Sequence, residues 1–125
     1  MGFSFEQLNQ AWQEHEGPAI FATVDQAGVP NAIYVTCVGL HPDGCFVVAD
    51  NYFCKTRSNL QAGGTGSLLF MDKSGKTYQI KGSLSYQTQG GFFDFMKSWN
   101  PAKHPGLAAA VLKVEQVFSG AEQLI

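Results

Sequence analysis

The chain has 125 residues, of which 45% are apolar and only 14% charged, and its formal net charge is −2. That length suits a single domain over residues 1–125. No run of Lys or Arg supplies the clustered positive field that a nucleic-acid partner requires, and no apolar run approaches the ~20 residues needed to cross a bilayer.

The first predicted element is a helix. Ser4 is placed to cap it, Gln7 three residues later completes a capping box, and Phe3 and Leu8 have the spacing of a hydrophobic staple. Phe5, Leu8 and Trp12 then share one helical face, and Glu16-Gly17-Pro18 is expected to end the helix. The opening segment lacks the basic start and apolar stretch of a secretion leader. From Ala19 the hydrophobic period becomes two. Ala19 to Val24 reads as a strand, Asp25-Gln26-Ala27-Gly28 as a turn, and Asn31 to Leu40 as a second strand. His41-Pro42-Asp43-Gly44 is turn chemistry before a third strand, Cys45 to Ala49, and the three strands are expected to form a meander.

Asn51 to Cys54 reads as a polar-aromatic loop and Lys55 to Ala62 as a short helix. Gly63, Gly64 and Gly66 lead into a fourth strand, Ser67 to Met71. After a hairpin turn at Lys73-Ser74-Gly75-Lys76, a fifth strand spans Thr77 to Tyr86, with Gly82 marking a bulge or a close backbone approach. Gly91 to Trp99 reads as a helix ended by Asn100-Pro101. A sixth strand follows from Ala109 to Phe118, with Leu112, Val114 and Phe118 on one face. Six strands without regular strand–helix alternation predict a mainly β fold, a six-stranded antiparallel split β-barrel flanked by short helices.

The segment Lys55-Thr56-Arg57-Ser58 carries the most chemistry. It combines two cations and two hydroxyls with the unpaired first N–H groups of a helix, which is what a terminal phosphate requires. A solvated helix start is the alternative. Tyr34 and Thr36 share one side of the second strand and offer hydroxyls beside that loop. The Gly63–Ser67 stretch lacks the Gly-Lys-Ser/Thr ending of a phosphate loop and reads as a turn. Cys37, Cys45 and Cys54 form no Cys-x-x-Cys pair, so no metal site is expected, and an odd, loosely spaced set suits reduced thiols in a cytoplasm. His15, His41 and His104 are scattered and read as surface or turn residues, Asp50 has no partner defined by motif, and no catalytic residue is named.

Several elements together carry a resemblance. They are Ala19-Ile20-Phe21-Ala22-Thr23 with Gly28-Val29-Pro30, and Val47-Val48-Ala49 leading to Lys55-Thr56-Arg57-Ser58-Asn59-Leu60. Gln79-Ile80-Lys81-Gly82, Ala109-Ala110-Val111-Leu112 and Ala121-Glu122-Gln123-Leu124 complete them. In this order they resemble the flavin-binding split-barrel family that contains the pyridoxamine-phosphate oxidases, and are especially similar to its short FMN-binding proteins of sulfate-reducing bacteria. The resemblance implies a homodimer with non-covalent FMN near the subunit interface. By position, Lys55 and Thr56 hold the phosphate; Tyr34, Val35 and Thr36 lie beside the phosphate and ribityl chain; Val48, Ala49, Asp50 and Asn51 border the isoalloxazine ring. The Asn51–Cys54 loop is bulkier than its glycine-containing counterpart in that group.

Three functions stand at this point. They are an FMN-dependent oxidoreductase acting on a small substrate, an FMN-binding electron carrier serving a redox partner, and a flavin-free barrel acting as ligand carrier or interaction module.

Overall fold

Residues 2–125 are described by a computed structural model, so Met1 lies outside it. The first helix, α1 (Phe5–Gln13), opens on the expected capping box: the Gln7 N–H donates to Ser4 Oγ at 3.2 Å, and the Ser4 N–H to Gln7 Oε1 at 2.7 Å. Leu8, Ala11 and Trp12 are its buried face. It ends earlier than Glu16-Gly17-Pro18 predicts. Gly17 and Pro18 belong instead to β1 (His15–Val24), where the register against its neighbour shifts between Glu16 and Ile20. Gly17 has φ +69°, so the left-handed residue serves a strand bulge rather than a helix stop.

The expected second strand is two. β2 (Pro30–Val35) pairs with β1, whereas β3 (Val38–His41) pairs with β4 (Cys45–Asp50). The three-strand meander is therefore not formed. α2 (Lys55–Ala62) and α3 (Gly91–Trp99) have the expected bounds, and β5 (Thr65–Asp72) and β6 (Thr77–Gln87) form the expected hairpin. The sixth strand also divides, into β7 (Ala108–Lys113) and β8 (Gln116–Ser119), and β9 (Glu122–Gln123) follows. The break shifts the alternation, so Val117 is buried and the Phe118 ring lies under Lys81 Nζ at 4.9 Å.

All pairings are antiparallel, and the strand order is β2-β1-β5-β6-β7-β4-β3. The two end strands of that order, β2 and β3, are consecutive in sequence and separated only by Thr36 and Cys37. The sheet is thus curled, with the end of β2 beside the start of β3, which gives the mainly β, curled half-barrel with three helices among the described residues. β6 serves both halves: Leu84–Gln87 pairs with β7, and Gln79–Lys81 with β8. Gly82 stands between these stretches, where an added Cβ would meet the Lys113 carbonyl oxygen at 1.7 Å, the close approach expected there.

The barrel interior holds Phe21, Phe46, Leu68, Ile80, Leu112 and Val117, each with no exposed surface, at about 1.5–3 kcal/mol for such a large apolar side chain. The Trp12 ring closes it edge-on to Phe46 and Phe70 at 5.2 and 5.1 Å. β4 is buried on both faces. Phe46 and Val48 point into the barrel, while Val47 and Ala49 lie under α3 with Met96, Phe92, Phe95 and Trp99.

Candidate functional site

β4 delivers the chain from the core to the start of α2, and Asp50 at its end organises the approach to that helix. The Asp50 carboxylate has no exposed surface yet accepts four hydrogen bonds. Arg57 donates from Nε at 2.7 Å and Nη2 at 3.0 Å, the Tyr86 hydroxyl at 2.6 Å, and the Phe53 N–H at 3.0 Å. Burial pushes this carboxyl up, but the bonds from Arg57, Tyr86 and Phe53, with the Arg57 charge, outweigh it and hold it below the ordinary 3.8. Burial, reinforced by the hydrogen bond to Asp50, pushes the Tyr86 phenol up.

Two further polar links pin α2 to the sheet. Asn31 Nδ2 on β2 donates to Thr56 Oγ1, and Asn59 Nδ2 donates to Thr23 Oγ1 on β1, both at 2.9 Å. The N-cap residue of α2 is Cys54, and no side chain among the described residues caps this helix, unlike α1. Among the described residues, the N–H groups of Lys55, Thr56 and Arg57 have no acceptor. Lys55 and Ser58 face a groove of about 420 Å³ shared with Asp25, Pro30 and Asn31. Lys55 is exposed and has no carboxylate within ion-pair distance among the described residues. A free ammonium, a hydroxyl and an amide around one groove, beside the unpaired first N–H groups of α2, form a donor set suited to a phosphate, and the Asp25 carboxylate on the same groove accepts from the Ala27 and Val29 N–H groups.

A second groove, of about 340 Å³, lies at the other end of β2. Tyr34, Val35 and Thr36 form one wall, and Ala49, Asn51, Tyr52, Phe53 and His104 form the others. The Asn51 and Asn100 amides exchange two hydrogen bonds at 3.0 Å, and the Gly106 N–H donates to Asn51 Oδ1, which leaves the Asn51 side chain committed to holding the 100–106 loop. The Tyr52 hydroxyl and His104 Nδ1 lie 3.2 Å apart. A separate groove, of about 370 Å³, opens elsewhere between β1, β5 and β6 beside Lys81 and Glu115.

The sequence-predicted residues therefore fall into three places. Tyr34, Val35, Thr36, Ala49 and Asn51 line the groove beside Tyr52. Lys55 lines the groove at α2, with Thr56 buried just behind it on Asn31. Val48 is fully inside the barrel core, and Asp50 is buried under Arg57 and Tyr86. Asp50 thus has the partners that no motif defined, and Arg57, read as a source of free positive charge, is engaged with it. Sequence reasoning missed Asn31, Thr23, Tyr86 and His104. Only Asn59, inside Lys-Thr-x-x-Asn-Leu, carried a sequence signal.

A family model described as pyridoxamine 5'-phosphate oxidase matches residues 5–119. Among solved structures, the chain is similar to HupZ of Group A Streptococcus, with a TM-score of 0.81 at 23% identity over 98% of each chain. It is similar to an FMN-binding protein of Syntrophomonas wolfei, with a TM-score of 0.76 at 21% identity, covering 94% of this chain and 86% of that one. It is also similar to HutZ of Vibrio cholerae, described as a heme storage protein, with a TM-score of 0.68 at 17% identity, covering 92% and 93%. At these identities the three likenesses are of fold.

Proposed function

The chain belongs to the pyridoxamine 5'-phosphate oxidase family, and from that premise we propose that it binds FMN non-covalently and acts as an FMN-dependent oxidoreductase on a small substrate. The observation that carries the reading is the uncapped start of α2, with Lys55, Ser58 and Asn31 around one groove, at one end of a strand whose other end borders a second groove. In this reading Lys55, Ser58 and the first N–H groups of α2 hold the phosphate, and Thr56 acts from behind through Asn31. Tyr34 and Thr36 offer hydroxyls to the ribityl chain, and Ala49, Asn51, Tyr52 and Phe53 wall the ring. When bound, FMN supplies electron transfer through its ring. The chain's own residues bind it, orient it and limit water on the walled side. An electron carrier with the same cofactor site, serving a redox partner, is the nearest variant of this reading.

We further propose a cytoplasmic homodimer. No helix of the described residues is long and apolar enough to cross a membrane. The outer face of β1, β2 and β5 supports the dimer: Ile20 is paired with both Tyr34 and Leu69, and Tyr34, Leu69, Met71 and Val24 are exposed around it. Tyr34 also lines the second groove, so a partner on this face reaches the ring site.

The absorption spectrum of freshly purified protein tests the reading. A flavin spectrum is expected, with free FMN released by acid or heat. Flavin retained on the precipitated protein refutes non-covalent binding, and apo-protein that takes up no FMN refutes the cofactor. The likeness to HutZ favours a second reading, a flavin-free ligand carrier. A heme band in place of flavin selects it.

A further inference from the structure

The Asp50 cage joins three segments whose relative placement the proposed phosphate site needs. Asp50 ends β4, Phe53 lies in the loop that enters α2, Arg57 is in the first turn of α2, and Tyr86 is near the end of β6. All of their bonds converge on one carboxylate that has no exposed surface. Successive helical residues are rotated by about 100°. Lys55 and Ser58, three apart, therefore share a face, and Arg57 points away from it. A two-pronged bond between Arg57 and a fixed carboxylate sets the rotation of the whole turn. It also sets the direction in which Lys55, Ser58 and the unpaired N–H groups point.

We infer that Asp50 is a positioning residue for the phosphate end of the site. Through Arg57 and the Phe53 N–H it holds the first turn of α2 in the phase that presents Lys55 and Ser58 to their groove. Arg57 is the strut of this arrangement and not itself a phosphate ligand. The inference rests on the reading of α2 as the phosphate site. The Asn31–Thr56 link within this turn and the Asn59–Thr23 link beyond it keep α2 on the sheet when the cage is weakened, so the phase of the turn loosens without the helix leaving.

Asp50→Asn keeps the shape and removes the charge, and Tyr86→Phe removes one donor. Apo-protein of each is titrated with FMN and with riboflavin by quenching of flavin fluorescence, and its thermal unfolding is followed with and without inorganic phosphate. Asp50→Asn is expected to weaken FMN about tenfold or more while riboflavin changes about threefold or less, because the losses fall on bonds to the phosphate. Tyr86→Phe moves the same way by a smaller factor, and both variants lose the stabilisation by inorganic phosphate. Equal losses for the two flavins make Asp50 merely structural and overturn the inference. A gain in FMN affinity overturns it too, since it means that the freed Arg57 is a direct ligand that Asp50 had withheld.

If Asp50→Asn does not fold, Arg57→Lys decides. It keeps the charge and loses the two-pronged geometry. Selective loss of FMN supports the strut, and retained FMN binding overturns it. Wild-type protein that prefers FMN, with variants that keep the preference, sinks this inference alone. Wild-type protein with no preference for FMN and no response to phosphate sinks the phosphate reading of α2 as well.

Discussion

Replacing Lys55 with Ala separates what this side chain does for a ligand from what it does for the fold. Lys55 is exposed at the first position of α2 and has no carboxylate partner among the described residues, so its removal breaks no ion pair. A cation at a helix N-terminus opposes the macrodipole, and Ala is the better helix former. Apo-protein should therefore hold its stability or gain up to about 0.5 kcal/mol. A hydrogen bond to a charged group contributes about 1.5–3 kcal/mol, so FMN should bind roughly tenfold to a hundredfold more weakly. Riboflavin, with the same ring and ribityl chain but no phosphate, should be nearly unaffected. Fluorescence-quenching titrations of both flavins, beside urea unfolding of the apo-protein, read the three quantities. Stability and FMN affinity should move with opposite signs. Equal losses for both flavins, or a drop in stability, would refute this role and assign Lys55 to the ring or to local structure.

The same geometry governs four further substitutions and the mass of the molecule in solution. Gly82→Ala places a Cβ 1.7 Å from the Lys113 carbonyl oxygen and should cost about 3 kcal/mol or more, since backbone must move. Gly91→Ala, at the open start of α3 with nothing within 4 Å, should stabilise by about 0.4–1 kcal/mol. Similar urea midpoints for the two variants would contradict this contrast. The Asp50 carboxyl titrates lower in the folded chain than its ordinary 3.8, so its contribution to stability is present above that value and lost as the pH falls below it. The stability difference between wild type and Asp50→Asn should thus narrow on acidification. A gap that stays constant through the acid limb contradicts the cage. Light scattering should give twice the chain mass, and Leu69→Glu, on the exposed apolar face, should shift it toward monomer. A monomer mass for wild type at all concentrations would remove the interface-bound model.

What the sequence made legible was local. The capping box at Ser4 and the bounds of α2 and α3 depend on residues within a few positions of one another, and they formed as read. Gly82 was legible because a glycine inside an alternating strand has few other uses. The breaks at Thr36-Cys37 and Val114-Glu115 were not, because β-favouring residues continue through the first, an apparent alternation of Leu112, Val114 and Phe118 runs across the second, and only the pairing partners change. Gly17-Pro18 has the signature of a helix end. It serves a bulge because the register of β1 against β5, a distant strand, decides its role. The site divided in the same way. Lys55 and Thr56 are neighbours at the start of α2, so a local reading names them together. Asp50 meets Tyr86 across 36 positions and Thr56 meets Asn31 across 25, separations at which no single-sequence spacing rule reports.

The strand order also constrains how the molecule is made. β7, the last long strand in sequence, lies between β6 and β4 and completes the sheet from its middle. A growing chain therefore carries two unsatisfied edges, one on β4 and one on β6, until residues 108–113 are available. Such edges are templates for pairing between molecules. Folding must wait for contacts far apart along the chain, which slows it and leaves its intermediates prone to association. Truncation ahead of Ala108 should thus yield an aggregating fragment rather than a smaller stable barrel. The two edges that β7 seals lie along Cys45–Asp50 and Leu84–Gln87, and these are the segments a chaperone would have to shield.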